Sequence, residues 1–198
     1  MSYLPGLAPT HDETQDGYCD HRETPRPLFD LLNRDFGPFD IDVAASDKNH
    51  LCERYFTAGS DALAQPWGPT IEHEGERPSR CFCNPPYPTD QLAAFASKAL
   101  AEALAGRAST LMLCPGTKTE QAWWHECVIG RAGSGASGIW FVEGRIAFWL
   151  HGSLPAKSAP DHNSVLILWK VGFVSKSERW WNKLPPMGTY SQATGLRQ

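Results

Sequence analysis

Apolar residues follow a helical spacing in three segments of the chain. In residues 24–36, apolar side chains recur every three or four positions after a Thr-Pro start, and a Gly-Pro pair follows. This pattern predicts an amphipathic helix with defined ends. The same reasoning predicts a second helix from residue 89 to the glycine at position 106, and a third helix over residues 119–130.

Short apolar runs between and after these helices predict strands. The predicted strands cover residues 39–45, 81–83, 110–114, 139–142, 145–150 and 165–171. A turn at Glu143-Gly144 joins the fourth and fifth of them, which predicts an antiparallel hairpin in the C-terminal half.

Helices and strands that alternate in this way indicate an α/β fold, with a mostly parallel sheet and helices on both faces. Ligands of such sheets bind outside the carboxyl ends of the strands. Three predicted strands end in residues 42–45, 84–87 and 114–115. We therefore expect the functional site where these three segments meet.

Length and composition are typical of one globular domain, with 198 residues, 41% of them hydrophobic and 20% charged. We divide the chain into an acidic N-terminal segment (residues 1–23), a main domain (24–172) and a C-terminal tail (173–198). The sequence has no apolar run of the ~18 residues that a membrane span needs, and its N-terminus lacks a signal-peptide pattern. These features predict a cytoplasmic protein (in the host cytoplasm if a phage encodes it) with no membrane partner.

The six cysteines fit neither a disulfide framework nor a zinc site. Cys81 and Cys83 are the closest pair, and the sequence contains no C-x-x-C, H-x-x-x-H or E-x-x-H spacing. We therefore expect reduced, mostly buried thiols and no metal.

The net charge of −4 is unfavourable for a nucleic-acid partner, but the charge is unevenly distributed. Residues 1–99 carry 8 lysines and arginines against 16 aspartates and glutamates, whereas residues 100–198 carry 10 against 6. Either the split is accidental or the second half supplies a surface that faces phosphates.

The tetrapeptide Asn84-Pro85-Pro86-Tyr87 lies between a predicted strand and the second helix. One interpretation is a proline-rich turn or a ligand for a partner domain, because paired prolines build stiff extended backbone. Its position at a strand end favours a catalytic role instead.

This tetrapeptide resembles motif IV of amino-methyltransferases, which move a methyl group from S-adenosyl-L-methionine to an exocyclic nitrogen. Other segments resemble, in order, those of phage-encoded DNA N6-adenine methyltransferases (the phage Dam family). These segments begin at Thr24, Asp42, Cys52, Asp61, Leu113, Trp123 and Gly144. The tetrapeptide alone is shared with RNA and protein-glutamine methyltransferases, and the ordered set favours the DNA enzymes.

The resemblance implies a Rossmann-like class I methyltransferase fold, S-adenosyl-L-methionine as cofactor, and DNA as the substrate of a site-specific adenine methyltransferase. It implies cofactor contacts at Thr24, Pro25, Asp42, Val43, Ala44, Asp61, Leu63 and Asn84. Asp42 is expected near the methionine part of the cofactor and Asp61 near its adenosine part. The alternative for Asp61 is a cap on a surface turn.

The chemistry of the motif is also understandable from its residues. An adenine amine is a poor nucleophile, so positioning matters more than acid–base power. The side-chain carbonyl of Asn84 and the backbone carbonyl of Pro85 can accept hydrogen bonds from the amine. Pro86 stiffens the backbone, and Tyr87 offers a flat face to a base flipped out of the duplex.

Three residues are candidates for contact with the target base or DNA. Arg145 and Phe148 lie in a segment that resembles the target-base segment of these enzymes, and the alternative is a strand with Phe148 in the core. Trp123 and Trp124 are adjacent in a predicted helix and are not both expected to face the core, which makes Trp124 a candidate to stack on bases. A partner surface or ordinary packing is the alternative, and the same applies to Trp180-Trp181.

Two other functions stay open at this point. The same chemistry could act on RNA, on cytosine N4 or on a protein glutamine, or the chain could be a non-catalytic, Trp-rich module that binds nucleic acid. The sequence leaves undecided the recognised DNA sequence, the preference for single or double strands, and the oligomeric state.

Overall fold

The structure, a computed structural model, describes residues 22–71, 75–130, 134–150, 154–155, 162–172, 175–176 and 187–190. Most of the predicted acidic segment, most of the predicted tail, Cys19 and the Trp180-Trp181 pair lie outside these residues. Within the described part of the chain, no helix is long and apolar enough to cross a membrane.

The described residues form two α-helices and eleven short strands. The helices are α1 (Arg26–Phe36) and α2 (Thr89–Leu104). The strands are β1 (Ile41–Asp42), β2 (Arg54–Tyr55), β3 (Ser79–Cys83), β4 (Ala108–Pro115), β5 (Ser134–Gly135), β6 (Gly138–Val142), β7 (Trp149–Leu150), β8 (Leu154–Pro155), β9 (Ser164–Trp169), β10 (Ser175–Lys176) and β11 (Met187–Tyr190). A 3-10 turn (Ala58–Ser60) and a π-helix (Trp124–Val128) complete the regular structure.

Seven strands form one sheet in the order β11-β6-β9-β4-β3-β1-β2. The pairs β2–β1, β1–β3, β3–β4 and β6–β11 are parallel, and β9 runs antiparallel to both of its neighbours, β4 and β6. The predicted α/β class with a mostly parallel sheet is therefore confirmed, and the architecture is Rossmann-like.

The two helices cover opposite faces of the sheet. Successive residues of a strand point to opposite sides, and in β3 Phe82 meets the ring of Phe29 in α1, with centroids 5.3 Å apart. The preceding residue, Cys81, has its Sγ 3.8 Å from the carbonyl oxygen of Trp67. The Trp67 ring in turn packs against Phe95 of α2.

The predicted hairpin between residues 139–142 and 145–150 is wrong. Strand β6 forms as expected, but both of its edges are already hydrogen-bonded, to β9 and to β11, so residues 145–150 have no free edge to join. Only Trp149–Leu150 form a strand, which pairs with β8 in a separate two-stranded sheet. The antiparallel part of the main sheet is therefore made by β9.

The expectation that Trp123 and Trp124 do not both face the core is also wrong, because each is only 5% exposed. Their rings pack edge to face with centroids 5.7 Å apart. The π-helix that begins at Trp124 packs against both α2 and β5. Both adjacent side chains are therefore buried in the core.

A buried carboxylate fixes the C-terminal end of α2 to the loop before β3. Glu102 is fully buried and accepts hydrogen bonds from Arg107 at 2.8 and 2.9 Å, and Lys98 forms an ion pair with it at 2.7 Å. The backbone nitrogen of Trp67 also donates to Glu102, at 3.3 Å. Burial alone raises the pKa of Glu102, but the hydrogen bonds from Arg107 and Lys98 outweigh it and lower the pKa.

Candidate active site

An open cleft of about 900 Å³ lies beside the carboxyl ends of β1, β2 and β3, where parallel α/β sheets bind ligands. Its lining comprises residues 22–23, 43–46, 48–49, 56–58, 61–63 and 84–87, together with Gln91 and Phe95 of α2. Among the predicted positions, the ends of the first two predicted strands contribute to the cleft, whereas residues 114–115 do not.

Five of the eight predicted cofactor residues line this cleft. They are Val43, Ala44, Asp61, Leu63 and Asn84. The other three, Thr24, Pro25 and Asp42, do not line it. Thr24 and Asp42 are each only 3% exposed, and the residues just before Thr24 reach the cleft in its place.

Asp42 is buried behind the cleft lining and holds part of that lining by hydrogen bonds. Its carboxylate accepts hydrogen bonds from the backbone nitrogens of Ala44, at 3.3 Å, and Leu51, at 3.1 Å. Burial raises the pKa of Asp42 to about 6, against the opposing effect of these two hydrogen bonds and of His50. Asp42 thus holds the backbone that contributes Ala44 and its neighbours to the cleft.

The cleft lining also contains a tight turn around Thr57 and Asp61. The backbone nitrogen of Thr57 donates to the hydroxyl of Ser60 at 2.8 Å, which closes the 3-10 turn. Asp61 follows with φ of 49°, a left-handed conformation that aspartate tolerates better than most residues. The indole nitrogen of Trp67 donates to the carbonyl of Ala62 at 2.8 Å and anchors the segment to the core.

Asn84 follows the end of β3 in the cleft lining, and its amide has two hydrogen-bond partners. The hydroxyl of Tyr87 donates to Oδ1 of Asn84 at 3.0 Å. The Nδ2 of Asn84 donates to the backbone carbonyl of Arg22 at 3.5 Å. Pro85 is buried and Pro86 is exposed, and both line the cleft between Asn84 and Tyr87 on a backbone with two fixed φ angles.

Two rings meet Tyr87 edge to face and leave its side chain only 7% exposed. The centroid of Phe148 lies 6.3 Å from that of Tyr87, and the centroid of His162 lies 5.6 Å away. Burial raises the pKa of the Tyr87 phenol, which keeps its proton at neutral pH. Phe148 is fully buried, as the core interpretation predicted, although residues 145–148 are not a strand.

Arg145 and Trp124 are not brought to the cleft. Arg145 is exposed, after the turn that follows β6, and Trp124 is buried in the π-helix. Neither is among the residues that line the cleft.

Sequence reasoning missed Arg22 and His162. The Nη1 of Arg22 is buried and has no hydrogen-bond partner among the described residues, although Arg22 lines the cleft. His162 lies just before β9, and the antiparallel pairing of β9 with β4 brings the start of β9 to the end of β4. The backbone nitrogen of Gly116, just after β4, donates to the carbonyl of Asn163 at 2.9 Å. This pairing places His162 against Tyr87. A pairing between strands that are distant in sequence leaves no local signal.

The five described cysteines are buried and not in disulfides, as predicted. Burial raises the pKa of Cys52 to about 12 and that of Cys127 to about 11, and it raises the pKa values of Cys81, Cys83 and Cys114 as well. These thiols are therefore protonated at neutral pH and are poor nucleophiles. Over the described ranges, no three histidine, cysteine, aspartate or glutamate side chains group as a metal site requires.

Comparison with known proteins gives two relatives that are both named as methyltransferases. Over 80 residues, the chain is 38% identical to the Escherichia coli (strain K12) protein named "Putative methyltransferase YfdM". This match covers 40% of the chain and 82% of that protein. Over 113 residues, it is 29% identical to the protein of Escherichia phage T1 named "DNA N-6-adenine-methyltransferase". This second match covers 57% of the chain but only 42% of the phage protein.

The sequence model of the DNA N-6-adenine-methyltransferase (Dam) family matches residues 11–183, which is most of the chain. This match covers α1, all seven strands of the main sheet except β11, and every segment that lines the cleft. The chain therefore belongs to the Dam family of DNA N6-adenine methyltransferases.

Proposed function

We propose that this protein transfers a methyl group from S-adenosyl-L-methionine to the exocyclic N6 of adenine in DNA, by direct in-line attack of a flipped base. The observation that carries the proposal is the position of Asn84 and Pro85 in the cleft at the strand ends. Membership of the Dam family supports the same substrate and reaction.

The residues of the cleft fit this cofactor. S-Adenosyl-L-methionine carries a carboxylate, an ammonium group, a ribose diol and an adenine ring, and so needs partners of both charges together with apolar surface. Arg22 and Lys48 are cations in the lining, Glu23 and Asp61 are anions, and Phe56 and Leu63 are apolar. A volume of about 900 Å³ is within the range of ligand sites of this kind.

We assign the cofactor carboxylate to Arg22 and the ribose hydroxyls to Asp61. A buried guanidinium nitrogen without a partner is unfavourable, and a ligand carboxylate would satisfy it with a charge-assisted hydrogen bond. Asp61 has an exposed carboxylate in the cleft lining, on a backbone held by the Thr57 turn and by Trp67.

Asn84 and Pro85 position the target amine. When bound, the cofactor supplies an electrophilic methyl group on a sulfonium, so the amine needs orientation more than a strong base. A carbonyl oxygen has two lone pairs, so Oδ1 of Asn84 can accept from the amine while it accepts from Tyr87. With the Pro85 carbonyl as second acceptor, the nitrogen lone pair is directed toward the methyl carbon.

Phe148 and Tyr87 form the proposed pocket for the flipped base. Because Tyr87 is 7% exposed and is covered by Phe148 and His162, a base can stack on it only if these side chains shift. Arg145 is exposed and is proposed to contact a phosphate. Trp124 is buried, so we leave it out of the proposed DNA surface.

Radiolabelled S-adenosyl-L-methionine and unmethylated DNA test the proposal directly. The expected product is N6-methyladenine in the digested DNA, and Asn84→Ala should remove at least 99% of the activity. Asn84→Asp is the matched control, because it keeps acceptor oxygens at the same place and should stay partly active. Methyl transfer by Asn84→Ala at the wild-type rate would contradict the assignment, provided that both variants unfold at the same temperature as the wild type.

A substrate panel separates the remaining possibilities. The same assay with RNA, with DNA that lacks adenine, and with a glutamine peptide should give less than one hundredth of the signal with DNA. Label in RNA, in cytosine or in the peptide at a comparable rate would replace the proposed substrate. Mapping of methylated adenines across a plasmid then shows whether the enzyme is site-specific.

A further inference from the structure

The ring of Tyr87 is almost completely covered, although the proposed reaction needs one of its faces free for a flipped base. Only 7% of Tyr87 is exposed. Among the described residues, the rings of Phe148 and His162 pack against it edge to face, with centroids at 6.3 and 5.6 Å. A base that stacks on Tyr87 therefore has to displace a side chain that already covers the ring.

Tyr87 itself is held in place and does not provide the opening. A hydrogen bond of 3.0 Å joins its hydroxyl to Oδ1 of Asn84. Its backbone follows Pro85 and Pro86, whose φ angles are fixed by their rings. A rotation of the Tyr87 side chain would break this bond and carry the ring away from Asn84, so one of the covering side chains has to move instead.

Phe148 is anchored in the core. Phe148 is fully buried, and its near neighbour Ile146 is only 1% exposed. The backbone of the next residue, Trp149, exchanges two hydrogen bonds of 2.9 Å with the backbone of Glu23. Displacement of Phe148 would leave a void in a packed interior and is therefore unfavourable.

His162 is the covering side chain that can move at low cost. It is partly exposed, and its ring hydrogen bond, between Nδ1 and the carbonyl of Asn163 at 3.2 Å, is an exposed one that water can replace. The backbone nitrogen of Gly116 holds the same carbonyl at 2.9 Å. Rotation about χ1 can thus carry the imidazole into solvent while the backbone stays in place.

We propose that His162 is a gate to the target-base pocket: its ring covers Tyr87 in the free protein and rotates away when a flipped adenine stacks there. This inference rests on the proposed function, and it adds a residue that controls access of the base. A planar aromatic ring shields the Tyr87 surface from water until the base replaces it. The closed gate lowers the affinity for DNA, because only the open fraction of the protein accepts the base.

Hydroxyl-radical footprinting measures whether His162 covers Tyr87 in the free protein. In His162→Ala, we expect the oxidation rate of the Tyr87 ring to rise at least about threefold, because the ring loses a cover. His162→Phe keeps a planar ring and should leave the rate within about twofold of the wild-type rate. An unaltered rate at Tyr87 in His162→Ala would overturn the proposal.

His50→Ala is the matched control for this measurement. The ring of His50 stacks on that of Tyr55 with centroids 4.2 Å apart, and neither residue lines the cleft. This variant should raise the oxidation rate of Tyr55 and leave that of Tyr87 unchanged. All three variants are compared at a temperature at which they are as fully folded as the wild type.

Binding of DNA tests the gate directly. With S-adenosyl-L-homocysteine bound, which prevents turnover, we expect the Kd of His162→Ala for DNA to fall about two- to tenfold, since an edge-to-face ring contact no longer opposes entry of the base. The Kd for S-adenosyl-L-homocysteine should change less than about twofold, and His162→Phe should bind DNA no more tightly than the wild type. An unchanged or increased Kd of His162→Ala for DNA would overturn the proposal.

A final measurement shows whether the base takes the place of the imidazole. In His162→Ala, a duplex that carries a methylatable adenine, located by the plasmid mapping, should protect Tyr87 from oxidation again. The same duplex with that A·T pair replaced by G·C should not, and equal protection by both would overturn the proposal. A wild-type protein that methylates no DNA would refute the proposed function and leave the footprint of the free protein valid.

Discussion

The carboxylate of Asp42 accepts a hydrogen bond from the backbone nitrogen of Leu51, 3.1 Å away and nine positions along the chain. The same carboxylate bonds to Ala44, so one buried side chain ties both ends of a segment that lines the cleft. The carboxylate is nearly fully buried, and this raises its pKa to about 6.

This raised pKa gives a pH dependence of defined sign. The folded state binds the Asp42 proton more tightly than the unfolded state, where the carboxyl has its ordinary pKa of 3.8. Ionisation of Asp42 therefore destabilises the fold as pH rises through 6. We expect the free energy of unfolding of the wild type, relative to that of Asp42→Asn, to increase by about 2–3 kcal/mol from pH 7 to pH 4. Urea unfolding of both proteins at four pH values measures this difference in unfolding free energy. A difference that is constant, or that grows toward high pH, would contradict it.

Arg22→Met removes the donors of the guanidinium and keeps an apolar stem. We expect the Kd for S-adenosyl-L-methionine, measured by calorimetry, to rise at least tenfold, because the cofactor carboxylate loses its partner. Arg26→Met is the control, since Arg26 forms an exposed ion pair with Asp30 on α1 and does not line the cleft. An unchanged Kd together with a raised KM for DNA would assign Arg22 to the nucleotide instead.

Glu102→Gln should destabilise the fold without changing the chemistry. Loss of the buried charge leaves Arg107 and Lys98 without their shared anion, and because both cations are partly exposed we expect a loss of about 2 kcal/mol. The lowered pKa of Glu102 means that its contribution is present above its unfolded pKa and is lost as pH falls through the folded value. Chemical denaturation at pH 7 tests the magnitude, with Asp30→Asn as an exposed control expected to change stability by less than about 0.5 kcal/mol.

The buried cysteines should resist alkylation in the native protein. Burial raises the pKa of Cys52 to about 12 and that of Cys127 to about 11, so neither forms the reactive thiolate at pH 8. We expect iodoacetamide to label the five described cysteines at least a hundredfold faster after unfolding in guanidinium. Peptide mapping locates the label, and rapid native labelling at Cys52 or Cys127 would show that the surrounding core opens readily.

Salt should separate the two proposed ligands. Contacts to phosphates release counterions, so we expect an increase from 50 to 200 mM salt to weaken DNA binding by about tenfold or more and to change cofactor binding less than about twofold. Arg145→Ala should weaken DNA binding and make its salt dependence less steep. Equal salt sensitivity of the Arg145→Ala and wild-type proteins would remove Arg145 from the proposed DNA surface.

The sequence by itself determined the main helices and the strand that ends at the cleft. Local periodicity located α1 and α2, and the apolar run that is β3 was predicted together with Asn84 at its carboxyl end. Five of the eight residues that the family resemblance implied as cofactor contacts also line the cleft. These features depend on short-range spacing, which side-chain periodicity and turn residues encode.

Tertiary structure alone decided which distant segments complete the site. The pairing of β9 between β4 and β6 excluded the predicted hairpin and brought His162 to Tyr87. The packing of the chain before α1 set the carbonyl of Arg22 against Asn84, and the fold buried both adjacent tryptophans. An apolar strand shows that it will be buried but not which edge it will join, since strand pairing is chosen by the fit of the whole sheet.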